Sequence, residues 1–452
     1  MKKTLLLIFV LMFVIALAAC GNKDGNTAKE ETPAATQAPA EEATPEPVVN
    51  KDPVTIRVGI LDSPEEKKNA EAVGEILKKS HPWITIKIEP YVGDYKTKAL
   101  AQAASGDLPD VTWIYDGAVK EFAEAGIIAP LNDIFSANGV DVSDVYESML
   151  GYGTLEIDGK VDNYYAPRDY NHIVMYVNKT LLKQEGLDVP ADGWDWATFM
   201  DYMKKLTKKD AAGKTTQFGV HFEPTWSPNW VACTKGMGGK YVADDNKSVR
   251  FSDPAVVAGL KLCWDLVKDG YATDPAGQYP EDPFMAGKVG FKVGVKPHAP
   301  SVNDASKAKG FEWDVVTMPK QPVQYAVGSG ASGYSISAKS KHKDAAGAYV
   351  SLFLKVEGQN AFNATGAGVP VLKSLKDDKI WRENPAPGKN MDAMVAFPES
   401  DVLRDFEIRL PVAAISEINT GIPDAFTKYI LNQSSLEDAL KAVDDKVNAL
   451  LK

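Results

Sequence analysis

The chain has 452 residues and carries 61 acidic against 50 basic side chains, a formal charge of −11. With no Lys/Arg-rich tract, that balance argues against nucleic acid as a partner. The five histidines (81, 172, 221, 298 and 342) and three cysteines show no metal-binding spacing, so neither a metal nor another cofactor is expected.

In chain order, Lys2 and Lys3 open onto an uncharged apolar run from Leu5 to Ala19. That run falls short of the roughly 20 residues needed to span a bilayer. Ending in the small residues Ala18 and Ala19, residues 1–19 read as a cleavable secretory leader. Residues 20–52 are dominated by Ala, Glu, Thr and Pro and offer few large apolar side chains, the composition of an unstructured tether. The folded part begins with strict alternation over Val54–Ile60, a strand, followed by a helix over 64–80, a strand at Ile84–Ile88, a helix over 95–104 and a strand at Val111–Tyr115. Strand and helix in this rhythm predict an α/β fold with a parallel sheet. Ligands in such sheets bind beyond the carboxyl ends of the strands, which draws attention to Asp62, Tyr115 and Asp116. Further helices are predicted over 196–206, 256–267, 345–353 and 436–450, with strands at 173–177, 218–222, 289–293 and 334–336. About 400 residues exceed what a single core usually organises, so two lobes are expected. Cys233 and Cys263, the latter on a buried helix face, are expected to remain unpaired thiols.

Leu17-Ala18-Ala19-Cys20, followed by polar residues, resembles the lipobox of bacterial lipoproteins. The resemblance implies that Cys20 becomes a lipidated N-terminus on the outer face of the cell membrane. Five further segments, in order, resemble the family 1 extracellular solute-binding proteins of carbohydrate importers. They are Ala103-Ala104-Ser105-Gly106-Asp107-Leu108-Pro109-Asp110-Val111, Tyr176-Val177-Asn178-Lys179-Thr180-Leu181-Leu182, Trp194–Phe199 with Lys204-Lys205-Leu206-Thr207, Met285-Ala286-Gly287-Lys288-Val289-Gly290-Phe291, and Gly330–Ser337 leading into Lys343–Tyr349. The family fold implies two α/β lobes, of the type II periplasmic-binding-protein class, joined by hinge crossings with the ligand between them. By that analogy the first lobe takes 53–167 and 287–327, and the second 168–286 and 328–452. Crossings are expected at Arg168–His172 and Tyr325–Gly330.

The implied function is capture of a sugar or oligosaccharide for the permease subunits of an ABC importer, by a monomer without enzymatic turnover. A sugar offers hydroxyl edges and apolar ring faces, so its site should mix polar and aromatic side chains. Glu223–Trp230 has that mixture in a segment that reads as too proline-broken for regular structure, with Trp226 and Trp230 as stacking candidates. Arg168, Asp169 and Asn171 at the first crossing are expected to contact ligand, as are Gly330 and Ser332 in the glycine-rich stretch. Lys296, where relatives frequently carry a tryptophan after the strand, would with His298 favour a more polar or acidic ligand. Gly330-Ala331-Ser332-Gly333-Tyr334 fails the G-x-S-x-G pattern at its last position, and no phosphate-binding G-x-x-x-x-G-K-[ST] loop is present. A surface-anchored carbohydrate-active enzyme, a partner of a membrane sensor kinase and a binder of peptides, polyamines or metal complexes are the alternatives.

Overall fold

The computed structural model describes residues 52–397 and 405–452. The leader, Cys20 and most of the tether lie outside the described residues. Among the described residues the strands run β1 (Val54–Leu61), β2 (Ile84–Tyr91), β3 (Val111–Tyr115), β4 (Thr154–Ile157), β5 (Lys160–Asn163), β6 (Ala166–His172), β7 (Val174–Asn178), β8 (Lys208–Lys209), β9 (Thr215–His221), β10 (Val289–Gly294), β11 (Trp313–Val316) and β12 (Ser329–Ile336). They build two five-stranded sheets, ordered β2-β1-β3-β12-β6 and β11-β7-β10-β9-β8, and a separate β4-β5 hairpin.

The alternation read in β1 has its physical cause in the first sheet. Ile56, Val58 and Ile60 are wholly buried, while Arg57 between them reaches Glu89 on β2 and Asp107. β1 pairs in parallel with β2 and β3, as the strand–helix rhythm requires. β12, from far along the chain, then inserts antiparallel between β3 and β6. In the second sheet β9 and β10 are parallel, and β7 is antiparallel to both β10 and β11. Both sheets are therefore mixed, and the fold is a two-lobed α/β architecture.

Strand pairing reverses part of the expected lobe division. β10 and β11, within 287–327, belong to the second sheet, whereas β12 and the helices that follow it as far as Lys379–Glu383 pack on the first, and the helices from Asp405 onward pack with the second. A short apolar strand carries no mark of the sheet it will join, because both sheets demand the same buried faces. The chain passes from first sheet to second at Ile173 and returns at Gly328, and the two passages are joined by the Ile173 N–H donating to the Gly328 carbonyl at 3.0 Å. Glycine is required at 328, since a Cβ there would lie 2.0 Å from the Pro228 carbonyl oxygen. A third passage lies near residue 396, for Met394 belongs to the first apolar cluster and Phe397 and Phe406 to the second.

Two further expectations are corrected. Cys233 and Cys263 form a disulfide, with Cα atoms 6.3 Å apart, that joins the helix Ser227–Gly236 to Pro254–Lys268. Both cysteines are buried as expected, but two buried helix faces bring them together, and sequence distance does not show that. The segment before the last helix forms a long helix of its own, Val412–Ile430, with Pro423 inside it, which the sequence reading passes over.

Candidate functional site

The carboxyl end of β3 is where the first lobe gathers its polar groups. Tyr115 ends the strand and caps the helix Asp116–Glu124. The Asp116 carboxylate accepts the N–H of Gly117 at 2.7 Å with one oxygen and that of Ala331, beside β3 on β12, at 2.7 Å with the other. An acidic group on the first turn of a helix faces the positive end of the helix dipole. Gly330 pairs with Asn171 across β12 and β6, and Ser332 pairs with Asp169 on one side and Tyr115 on the other. Tyr115, Asp116, Asp169, Asn171, Gly330 and Ser332 thus form one band across three adjacent strands, beside the passages to the second lobe.

Arg168 anchors that band from within. Its side chain is almost wholly buried, and its guanidinium forms a two-pronged ion pair with Glu66, one arm at 2.7 Å. Its Nε donates to the Ser332 hydroxyl at 2.9 Å, which donates in turn to Asp169 at 2.9 Å; the Ser332 N–H also donates to Asp169, at 2.7 Å. Phe362, Tyr334 and Trp113 surround the guanidinium with ring centroids 5.1 to 6.0 Å away. Burial pushes the Arg168 pKa down, but the charge and hydrogen bonds of Glu66 outweigh it and hold the group above its ordinary range. Asp169 is pushed up by burial in spite of Arg168 and Ser332. Arg168 is a buried structural cation for the band rather than an exposed ligand contact. Glu66 was missed, although its signal is in the sequence: Ser63-Pro64-Glu65-Glu66 is a helix start, and Ser63 accepts the Glu66 N–H at 3.1 Å.

The second lobe presents the helix Ser227–Gly236 to this region. Pro228 stands in its first turn, where proline starts a helix rather than breaks one, so Glu223–Trp230 is not irregular throughout. The helix separates the two tryptophans. Trp230 is 2% exposed and packs among Tyr241, Phe251 and Phe406, a core side chain; Trp226, at the cap, is 36% exposed. Beside Trp226, the Ser227 hydroxyl lies 3.4 Å from the Glu407 carboxylate. A Cβ added to Gly117 would lie 3.1 Å from that carboxyl group and 3.0 Å from the Tyr115 ring, so glycine at 117 lets the lobes meet. One turn further, Lys120 donates to the Leu410 carbonyl at 2.9 Å. Glu407 was also missed, because only folding brings residues 117, 227 and 407 together.

Asp62 and Lys296 are not joined to this band by any hydrogen bond or ion pair among the described residues. Asp62 is exposed at the end of β1. Lys296 is wholly buried and donates to the main-chain carbonyls of Gly366 and Asn384, so it is no ready acceptor of an acidic ligand. His298 is half-buried, and the loss of solvent around its ring, aided by Lys292, pushes it down to about 4. Among the described residues no group of three or more His, Cys, Asp or Glu side chains is placed to hold a metal ion. No helix there is long and apolar enough to cross a membrane.

Residues 72–389 match the family described as bacterial extracellular solute-binding protein. The chain belongs to that family. Among its relatives, the sn-glycerol-3-phosphate-binding periplasmic protein of Pectobacterium atrosepticum is 22% identical over 409 residues, covering 85% of this chain and 88% of the relative. The multiple sugar-binding protein of Streptococcus mutans is 26% identical over 335 residues, covering 70% and 75%. An ABC substrate-binding protein of Listeria monocytogenes, solved in complex with cycloalternan, superposes with a TM-score of 0.76 at 23% identity, covering 88% of this chain and 99% of its own. That likeness establishes the two-lobed fold of this solute-binding protein.

Substituting Arg168 by Met is expected to lower unfolding stability by about 3–5 kcal/mol in urea titrations, since the buried Asp169 and the part-buried Glu66 would be left without their cation. A loss below about 1 kcal/mol would show that the ion pair is not the anchor of the band.

Proposed function

We propose that this solute-binding protein captures a sugar or oligosaccharide outside the cell and passes it, unchanged, to an ABC importer. The observation that carries the reading is the half-exposed Trp226 ring beside the place where Gly117 of the first lobe meets Glu407 of the second, which also holds the Ser227 hydroxyl. An aromatic face next to carboxylate and hydroxyl groups matches the two surfaces of a sugar. Tyr115, Asp116, Asp169, Asn171, Gly330 and Ser332 extend the polar side of that site in this reading. The sugars named for the Streptococcus and Listeria proteins support the same class. Closure of the lobes about the passages at 173, 328 and 396 would complete the hydrogen bonds and exclude water, as in other hinged binding proteins. Lipid on Cys20 would hold the protein at the outer face of the membrane, and two or three chains at about 0.8 kcal/mol per buried methylene suffice for stable anchoring.

The Pectobacterium relative raises a second reading, a glycerol phosphate. Arg168 and Lys296 do not favour it, because both cations are buried and already engaged by groups of the protein.

A thermal-shift panel of neutral mono-, di- and oligosaccharides, with sn-glycerol 3-phosphate alongside, separates the two. A ligand at 100 times its Kd adds about 2.7 kcal/mol of stability, a shift of a few degrees. Trp226→Ala is expected to weaken binding of the responding sugar at least tenfold while changing stability by under about 0.5 kcal/mol. A shift with the phosphate alone would overturn the sugar reading, and wild-type affinity in Trp226→Ala would remove the stacking platform. Cys20→Ser is expected to release the protein from washed membranes into the soluble fraction; retention there would contradict lipid anchoring.

A further inference from the structure

Lys296 is a buried cation that ligand capture, as described above, does not use. It follows β10 of the second sheet and is 0% exposed. Its ammonium donates to the carbonyl of Gly366 at 2.8 Å and to that of Asn384, and no carboxylate among the described residues forms an ion pair with it. Both carbonyls belong to chain that packs on the first lobe. The Val369 carbonyl accepts the Tyr170 N–H of β6 at 3.0 Å, and the Val371 carbonyl accepts the Tyr146 N–H at 3.0 Å. The seam continues beyond Asn384, where Lys389 donates to the Trp313 carbonyl of β11 at 2.8 Å and the Asn390 N–H donates to Asp314 at 2.9 Å. Of the two lysines in this seam, Lys296 is shut off from solvent and Lys389 is half-buried.

We propose that Lys296 is a positioning residue that docks the second lobe on the first and makes the docking dependent on its own protonation. Lobes that move relative to one another must break or hydrate its two hydrogen bonds. A neutral amine keeps two N–H donors for the two carbonyls, so deprotonation preserves the geometry and removes the cost of a buried, uncompensated charge. Burial accordingly pushes its pKa from 10.5 down to about 7. Between that value and its ordinary one the docked form binds fewer protons than a form with the side chain in water. Raising the pH through this window therefore favours docking, and below about pH 7, where both forms are protonated, the dependence disappears.

The surrounding groups leave the window clear. His298, two residues on, is held down to about 4 by burial, as is His221. Lys292 on β10 is tied to Asp282 at 2.6 Å. Tyr176 on β7, whose hydroxyl donates to the Val295 carbonyl, is pushed up by burial. Beside Asn384, Glu383 is exposed and Arg382 is paired with Asp377 and Asp392. The proposal rests on the two-lobed fold and is independent of which solute is bound.

Hydrogen exchange of the full chain, without ligand, reads the docking at 366–368 and 384–391. After correction for the intrinsic exchange rate, protection there is expected to rise by up to about tenfold per pH unit between pH 7 and 9 in the wild type. It is expected to stay flat with pH in Lys296→Met. A flat wild-type profile, or the same slope in Lys296→Met, would overturn the proposal. Should that variant fail to fold, the wild-type profile decides alone, since a purely structural lysine gives no slope in this window.

Discussion

Insertion of β12 between β3 and β6 is the constraint on which the rest of the molecule depends. A strand some two hundred residues downstream of β3 must return to the first sheet, so the chain has to leave that sheet after β6 and come back before β12. Those two passages are hydrogen-bonded to each other at Ile173 and Gly328, and a third follows near residue 396. Several crossing segments in one place permit rotation about a common line and resist independent drift of the lobes. The same insertion sets Ser332 between Tyr115 and Asp169, and it brings Ala331 to Asp116. Hinge and polar band are therefore two consequences of one strand placement.

The band is held by charges that the protein itself satisfies. A buried guanidinium is costly unless its hydrogen bonds are complete; Glu66 and Ser332 accept those of Arg168, and Asp169, 3.5 Å from its Nε, adds a second counter-charge. Fixing Arg168 in turn fixes Ser332 and Asp169 on neighbouring strands, next to the residues that face the second lobe. Rigid support behind an adaptable front suits a site whose ligand arrives between moving bodies, and Gly117 and Trp226 lie at that front.

Local pattern made much of this legible in the sequence. The alternation of Val54–Ile60, the helix start at Ser63–Glu66 and the apolar spacing of Trp196–Leu206 each report a period that the fold then uses. Tyr115, Asp116, Asp169, Asn171, Gly330 and Ser332, chosen from separate segments, lie together because strand ends and crossings concentrate polar groups at the edge of a sheet. What could not be read depended on pairing across long distance. β10 and β11 carry no label for the sheet they join. Cys233 and Cys263 meet only once two helices pack, and Glu407 reaches Gly117 from nearly three hundred residues away. Trp230 and Lys296 show the remaining gap: residue type suggested a ligand, whereas burial assigns one to a core and the other to a seam between lobes.

The claim that this protein works by closing its lobes on a solute is tested most directly by solution X-ray scattering of the full chain with and without a saturating sugar. Closure about the three passages should shrink the radius of gyration by on the order of 1 Å, with a corresponding change in the profile at wider angles. Identical profiles, with binding confirmed in the same samples, would contradict hinge closure and leave a rigid site in its place.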